Sequence, residues 1–217
     1  LGDDAYSDLA VLSVDAPAFE FKPVTIVSSA SLRVGEPVIA IGNPYGLVGS
    51  LTTGVVSATG RTINEDTAGG YAIANIIQTS TPINPGNSGG PLLNSVGNVV
   101  GITAAIVSDS QGLGFAIPSN TILREISALV RTGSYHGHSY LGVLGDDMSF
   151  SVAKDMGSNV TYGWRIVTVT ALGPSDGKLA VNDIIIAMNG QTIKNNEDLA
   201  SYLEENTIPG DSLVLTV

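Results

Sequence analysis

A serine becomes a nucleophile only where a base removes its proton and fixed N–H donors receive the charge of the tetrahedral intermediate. Residues 83–94, INPGNSGGPLLN, set three glycines and two prolines around one serine, Ser88. That is more backbone freedom than a strand or helix interior tolerates. Gly86 has no side chain to obstruct a tight turn, and Ser88 offers both a hydroxyl and an N–H. Gly89 and Gly90 let a substrate backbone come close. These residue types suit acyl transfer, with glycines that let backbone N–H groups converge near Ser88. A bare Ser-Gly-Gly is more often a simple turn; the longer run Gly-Asn-Ser-Gly-Gly-Pro in a strand-rich chain favours the nucleophile.

Other chemistry is thinly represented. The chain has no cysteine, which excludes disulfides, thiol catalysis and Cys-ligated zinc. Its two histidines, His136 and His138, form an H-x-H pair without a clear third ligand and read as solvated linker residues. No metal and no cofactor are expected. The stretch GSLTTGVV has Val55 and Val56 where a phosphate loop requires Lys and Ser or Thr. A formal net charge of −11 opposes phosphate backbones and anionic membrane surfaces, so nucleic acid is excluded as a partner. No apolar run reaches the length of a membrane span; the longest, such as 184–188, have strand length.

The elements that must hold this loop are short. From Leu9 to Leu172 the chain runs through β-branched segments bounded by Gly, Pro, Asn and Ser, among them VIAIG, GVVSATG, NVVGITAAIV and WRIVTVTAL, a pattern of barrels or sandwiches. Helical spacing occurs twice. Ile122, Ile126, Leu129 and Val130 follow Pro118, Ser119 and Asn120; Leu199, Tyr202 and Leu203 follow Asn195 and Asn196. The first helix runs into RTGSYHGHSYLG, whose glycines and small polar residues mark a linker. With 217 residues, two domains are the better expectation.

The chain resembles the HtrA/Deg family of chymotrypsin-like serine endopeptidases with PDZ domains. The resemblance rests on SDLAVL, VGEPVIAIGNPYGL, TTGVVSATGR, IIQTSTPINPGNSGGPLLN and GLGFAIPSN, in family order. It implies a mainly β fold: a chymotrypsin-like barrel domain over residues 1–134, a linker over 135–139, and a PDZ-like α+β domain over 140–217 that is incomplete at its C-terminal end. It also implies Ser88 as nucleophile, Asp8 as the triad carboxylate, and an oxyanion hole at Gly86, Asn87 and Ser88. The imidazole between Asp and Ser precedes the Asp in this family, and neither histidine here matches that position. The chain starts at Leu1 without an initiator Met. It is therefore expected to be a piece of a longer polypeptide that lacks most of the first barrel.

The resemblance extends to specificity and partners. Pro82 stands where trypsin-like relatives place an acid that selects Lys or Arg. With Leu113 and Phe115 it is expected to form a pocket for small or medium apolar residues. Asn87 replaces the Asp that pairs with a newly cut N-terminus, so activation is expected through the loops 62–72 and 107–113. In the second domain Tyr140, Leu141, Gly142 and Val143 are expected to receive a peptide carboxylate, with Leu199 and Tyr202 bordering the groove. The implied protein degrades or holds unfolded or misfolded proteins without ATP, works outside the cytoplasm or in the cell envelope, and assembles as a homotrimer. The rival is a pseudoprotease that acts as a chaperone or peptide-binding protein.

Overall fold

The computed structural model describes residues 1–43, 49–64, 72–104 and 112–217. The chain divides into two compact units, Leu1–His136 and Gly137–Val217. Most of the loop 62–72 and most of 107–113 lie outside the described residues.

The first unit opens with a hairpin, β1 (Gly2–Asp4) and β2 (Leu9–Val11), in which Asp4 faces Leu9. Its turn carries Asp8 at φ +53, left-handed backbone that favours short polar side chains among non-glycine residues. After a short 3₁₀ turn come β3 (Pro37–Gly42), β4 (Ser50–Asn64), β5 (Ala72–Thr79), β6 (Pro91–Asn94), β7 (Val99–Ala104) and β8 (Gly114–Pro118). These six strands close into one barrel in the order β3-β4-β5-β8-β7-β6. Closure leaves no unpaired strand edge, and the β-branched runs fill the inside. One core cluster is built on Val38, Ala40, Val56, Ile77, Leu92, Val100 and Ala116. A second gathers Ile73, Ile76, Ala104, Phe115 and Ile117, with Leu9 of the hairpin packed against it.

Helix α1 (Ser119–Thr132) follows β8 and ends on Gly133 in the left-handed conformation, with the Gly133 N–H bonded to Leu129 O. The hairpin lies directly on its end. Asp3 N–H donates to Gly133 O at 3.2 Å. A Cβ on Gly2 would stand 2.4 Å from Leu129 O, so only glycine fits that approach.

The second unit contains β9 (Val143–Asp147), α2 (Phe150–Met156), β10 (Trp164–Val169), β11 (Ile184–Ile185), β12 (Ala187–Met188), β13 (Gln191–Thr192), α3 (Asn196–Asn206) and β14 (Leu215–Thr216). Its strands form two small sheets, β11-β10-β9 and β13-β12-β14. Asn195 caps α3 by accepting from Asp198 N–H at 3.0 Å, and Ser149 caps α2 by accepting from Val152 N–H. Trp164, Ile166, Ile185, Met188, Ile193, Leu199 and Tyr202 make the core. Asn182 holds φ +74, the left-handed turn in which asparagine is better tolerated than most side chains.

Candidate active site

The serine turn leaves β5 and enters β6, and backbone hydrogen bonds fix it on both sides. Asn87 N–H donates to Asn84 O and Gly90 N–H to Asn87 O, each at 2.9 Å. Gly86 and Gly89 hold φ +100 and +81, values that make glycine the natural residue at each. Strand β7 clamps the turn from beside it. Gly89 N–H donates to Thr103 O and Thr103 N–H to Gly90 O, both at 2.8 Å. The buried Thr103 hydroxyl bridges the same turn, 2.5 Å from Asn87 O and 3.1 Å from Gly90 O. Strand β3 closes the other side: Asn43 N–H donates to Gly86 O at 3.0 Å, and a Cβ on Gly90 would stand 2.2 Å from Ile41 O.

Ser88 itself is exposed at the head of this pinned turn, while Asn87 beside it is 1% exposed. Among the described residues no acceptor takes the Gly86 N–H. The geometry is therefore a surface hydroxyl on a rigid backbone that presents a donor.

The segment that enters the turn is anchored by threonines. Thr79 Oγ1 donates to Val55 O at 2.8 Å and accepts from Thr81 N–H at 3.0 Å. Pro82 is exposed, and its carbonyl accepts from Thr52 Oγ1 at 3.0 Å and from Asn87 Nδ2 at 3.4 Å. Asn87 thus spends its amide on the segment between β5 and the turn. Asn87 Oδ1 is buried without a hydrogen-bond partner among the described residues.

Leu113 is 45% exposed, whereas Phe115 is 8% exposed and packs in the barrel core. Strand alternation puts Phe115 and Gly114 on opposite faces of β8, Phe115 toward the cluster with Ile73 and Ile76, and Gly114 toward Thr81 and Ile83. A Cβ on Gly114 would meet Thr81 O at 2.6 Å and Ile83 Cγ1 at 2.7 Å. Gly114, Thr81 and Thr103 are the residues that sequence reasoning missed. The glycine in GLGF was the one available signal.

Asp8 sits on the hairpin turn and is exposed. Its neighbour Ser7 is buried, with Oγ 2.9 Å from Asp4 Oδ2 and 2.6 Å from Glu125 Oε2. Glu125 is 0% exposed, and Arg124 Nη2 donates to its Oε1 at 2.9 Å. Burial pushes the Glu125 carboxyl above the usual range, outweighing the hydrogen bonds from Ser7 and Arg124 that favour its charged form. His136 is exposed with Nε2 3.0 Å from Ser134 Oγ. His138 belongs to the second unit, where Nδ1 lies 3.1 Å from Glu204 Oε2 on α3. It is half-buried and paired, not the solvated linker residue the sequence suggested.

In the second unit Tyr140 and Leu141 line a cavity of about 690 Å³ together with Leu203, Thr207 and Ile208 beyond them. Ser175 Oγ donates to Leu141 O at 2.6 Å, and Thr170 N–H to Gly142 O at 2.8 Å. With both carbonyls engaged, the N–H groups of Leu141 and Gly142 have no acceptor among the described residues. Val143 packs against the core from the start of β9, an edge strand. Leu199 and Tyr202 are 6% and 7% exposed and lie in the core instead of the cavity wall. Leu203 is the α3 residue that reaches the cavity.

A closed barrel with an exposed serine on a glycine turn defines a trypsin-like peptidase domain. Residues 1–102 match the family described as trypsin-like peptidase domain. The chain is 37% identical to "Protease Do-like 1, chloroplastic" of Arabidopsis thaliana, covering 100% of this chain and 51% of that protein. It is 36% identical to "Serine protease Do-like HtrB" of Bacillus subtilis (strain 168), covering 100% of this chain and 50% of the relative. The solved structure "HtrA-type protease AlgW with tripeptide" aligns with a TM-score of 0.73 and 34% identity, over 100% of this chain and 71% of that one. The chain belongs to the HtrA/Deg family of serine proteases. It spans about half the length of the curated relatives it matches.

Proposed function

We propose that the protein is a serine endopeptidase of protein quality control that cleaves unfolded or misfolded proteins without ATP. The observation that carries this reading is the exposed Ser88 on a turn pinned by β3 and β7. Ser88 Oγ attacks the scissile carbonyl carbon as its proton passes to an imidazole, and Asp8 orients that imidazole. The N–H groups of Gly86 and Ser88 receive the oxyanion, and Asn87 holds the peptide between them. With proline, not an acid, at position 82, cleavage after Val, Ala or Leu is expected, and not after Lys or Arg.

The second unit acts as a PDZ-like module for apolar C-terminal peptides, joined to the protease domain by the linker. Its support is the pair of unengaged N–H groups at Leu141 and Gly142 beside an edge strand. A homotrimer working outside the cytoplasm is proposed on family resemblance alone.

A second reading is a pseudoprotease that holds peptides without cutting them, supported by the N–H groups of Leu141 and Gly142 that have no acceptor among the described residues. The test compares casein hydrolysis and fluorophosphonate labelling of Ser88 in these 217 residues, in the full-length protein and in its Ser88→Ala variant. Ser88-dependent cleavage by the full-length protein, with the 217 residues alone silent, is the expected result. An unlabelled, inactive full-length protein would establish the pseudoprotease.

A further inference from the structure

The amphipathic helix α1 carries a carboxyl group where its pattern calls for an apolar residue. Glu125 is 0% exposed on the same helix as buried Ile122 and Leu129. A buried carboxyl costs free energy that a leucine of similar volume would avoid. Its position is therefore informative about what it touches. One contact is Arg124 of the same helix; the other is Ser7 of the hairpin.

Ser7 immediately precedes Asp8. We infer that Glu125, acting through Ser7, is a positioning residue that aims the Asp8 carboxylate for catalysis. The inference rests on the reading of Asp8 as the triad carboxylate.

Three observations converge on Asp8. Its backbone is at φ +53, a left-handed turn conformation that a short polar residue such as Asp adopts more readily than most non-glycine residues. On one side, Ser7 is buried at 3% exposure between Asp4 and Glu125. On the other, Leu9 is fixed by its pairing with Asp4 and by packing on the core cluster that contains Phe115. Asp4 closes the turn from within, its Oδ1 accepting from Tyr6 N–H at 3.1 Å. Both flanks of Asp8 are thus tied, one to α1 and one to the barrel.

The hydrogen count constrains the cluster. A serine hydroxyl has one hydrogen, yet Ser7 Oγ lies within bonding distance of two carboxyl groups. Both contacts are satisfied when the two carboxyls share one proton, one of them donating to Ser7 and the other accepting from it. The guanidinium of Arg124 meets the second oxygen of Glu125. A glutamine at 125 reproduces this pattern, its amide N–H donating to Ser7 and its oxygen accepting from Arg124. A leucine abolishes it.

The experiment measures kcat and KM of the full-length protein on an unfolded substrate, with active enzyme counted by fluorophosphonate labelling. Ser7→Ala and Glu125→Leu should lower kcat about tenfold or more with KM unchanged, as expected when a catalytic group is misplaced by a fraction of an ångström to an ångström. Glu125→Gln should retain kcat. Ser7→Ala removes only one oxygen atom, so it carries the test if Glu125→Leu fails to fold. A Ser7→Ala protein with unchanged kcat overturns the inference while the protease reading stands. A wild-type protein without Ser88-dependent cleavage overturns that reading and the inference with it.

Discussion

Thr103 shows how a single hydroxyl can govern a reactive turn. Its oxygen reaches the carbonyls of both Asn87 and Gly90, the residues that bracket Ser88 and Gly89. Thr103→Val keeps the shape and leaves those carbonyls without their hydroxyl partner, which should cost about 1–3 kcal/mol in urea unfolding. Labelling of Ser88 in the full-length protein should slow in the same variant. Ser88 was legible in the sequence because glycine and proline announce an unusual backbone. Thr103 was not, because a threonine in a β-branched run signals only a strand, and its role depends on which strand lies beside the turn. Glu125 was hidden for a related reason: its helix reads as an ordinary amphipathic one. Its raised pKa has a sign that can be measured. Below the ordinary glutamate value of about 4.3 both folded and unfolded chains hold the proton, and its stabilising contribution is full. As pH rises past that value the unfolded chain releases its proton first, and stability falls until the folded carboxyl ionises too. Glu125→Gln cannot titrate, so this part of the slope of unfolding free energy against pH should vanish in that variant.

Among the elements, the contact of β3 with the serine turn leaves no tolerance. A Cβ at Gly90 would lie 2.2 Å from the backbone oxygen of Ile41, and backbone cannot swing aside as a flexible side chain can. Gly90→Ala should therefore displace the turn from β3. It should lower stability by roughly 1–3 kcal/mol in urea unfolding, the range for an overpacked position. In the full-length protein it should also abolish Ser88 labelling. The barrel strands and the helices α1 and α3 were readable because each is long enough to show its period and carries start signals: Pro118 before one, Asn195 before the other. Helix α2 was not read, since a seven-residue helix offers two turns and one cap, Ser149. The two-residue strands β11, β12, β13 and β14 are likewise too short to show an alternation. The facing of Phe115 was not legible for a different reason. All five residues of β8 are buried, so hydrophobicity gives no hint of which face each occupies.

At the scale of the whole molecule, the proposed pairing of a protease unit with a peptide-binding unit on one chain predicts that cutting and capture can be separated by mutation. The capture half can be tested on the whole chain without any catalytic histidine. Among the described residues the N–H groups of Leu141 and Gly142 have no internal acceptor, and the cavity beside them is walled by Leu203. A peptide laid along β9 would place its terminal carboxylate at those donors and its last apolar side chain against Leu203. Amidation removes the charge and leaves the side chain, so calorimetric titration should find binding by a free-acid apolar peptide and little by its amide. Equal binding of the two would exclude carboxylate capture. Position 203 separates the groove from the core. Leu203→Asp should weaken peptide binding, whereas Leu199→Ala, in the core, should act first on stability, by about 2–5 kcal/mol. The sequence pointed to Leu199 and Tyr202 because apolar spacing along a helix marks its buried stripe. Leu203 stands at the margin of that stripe, partly buried against the core and lining the cavity.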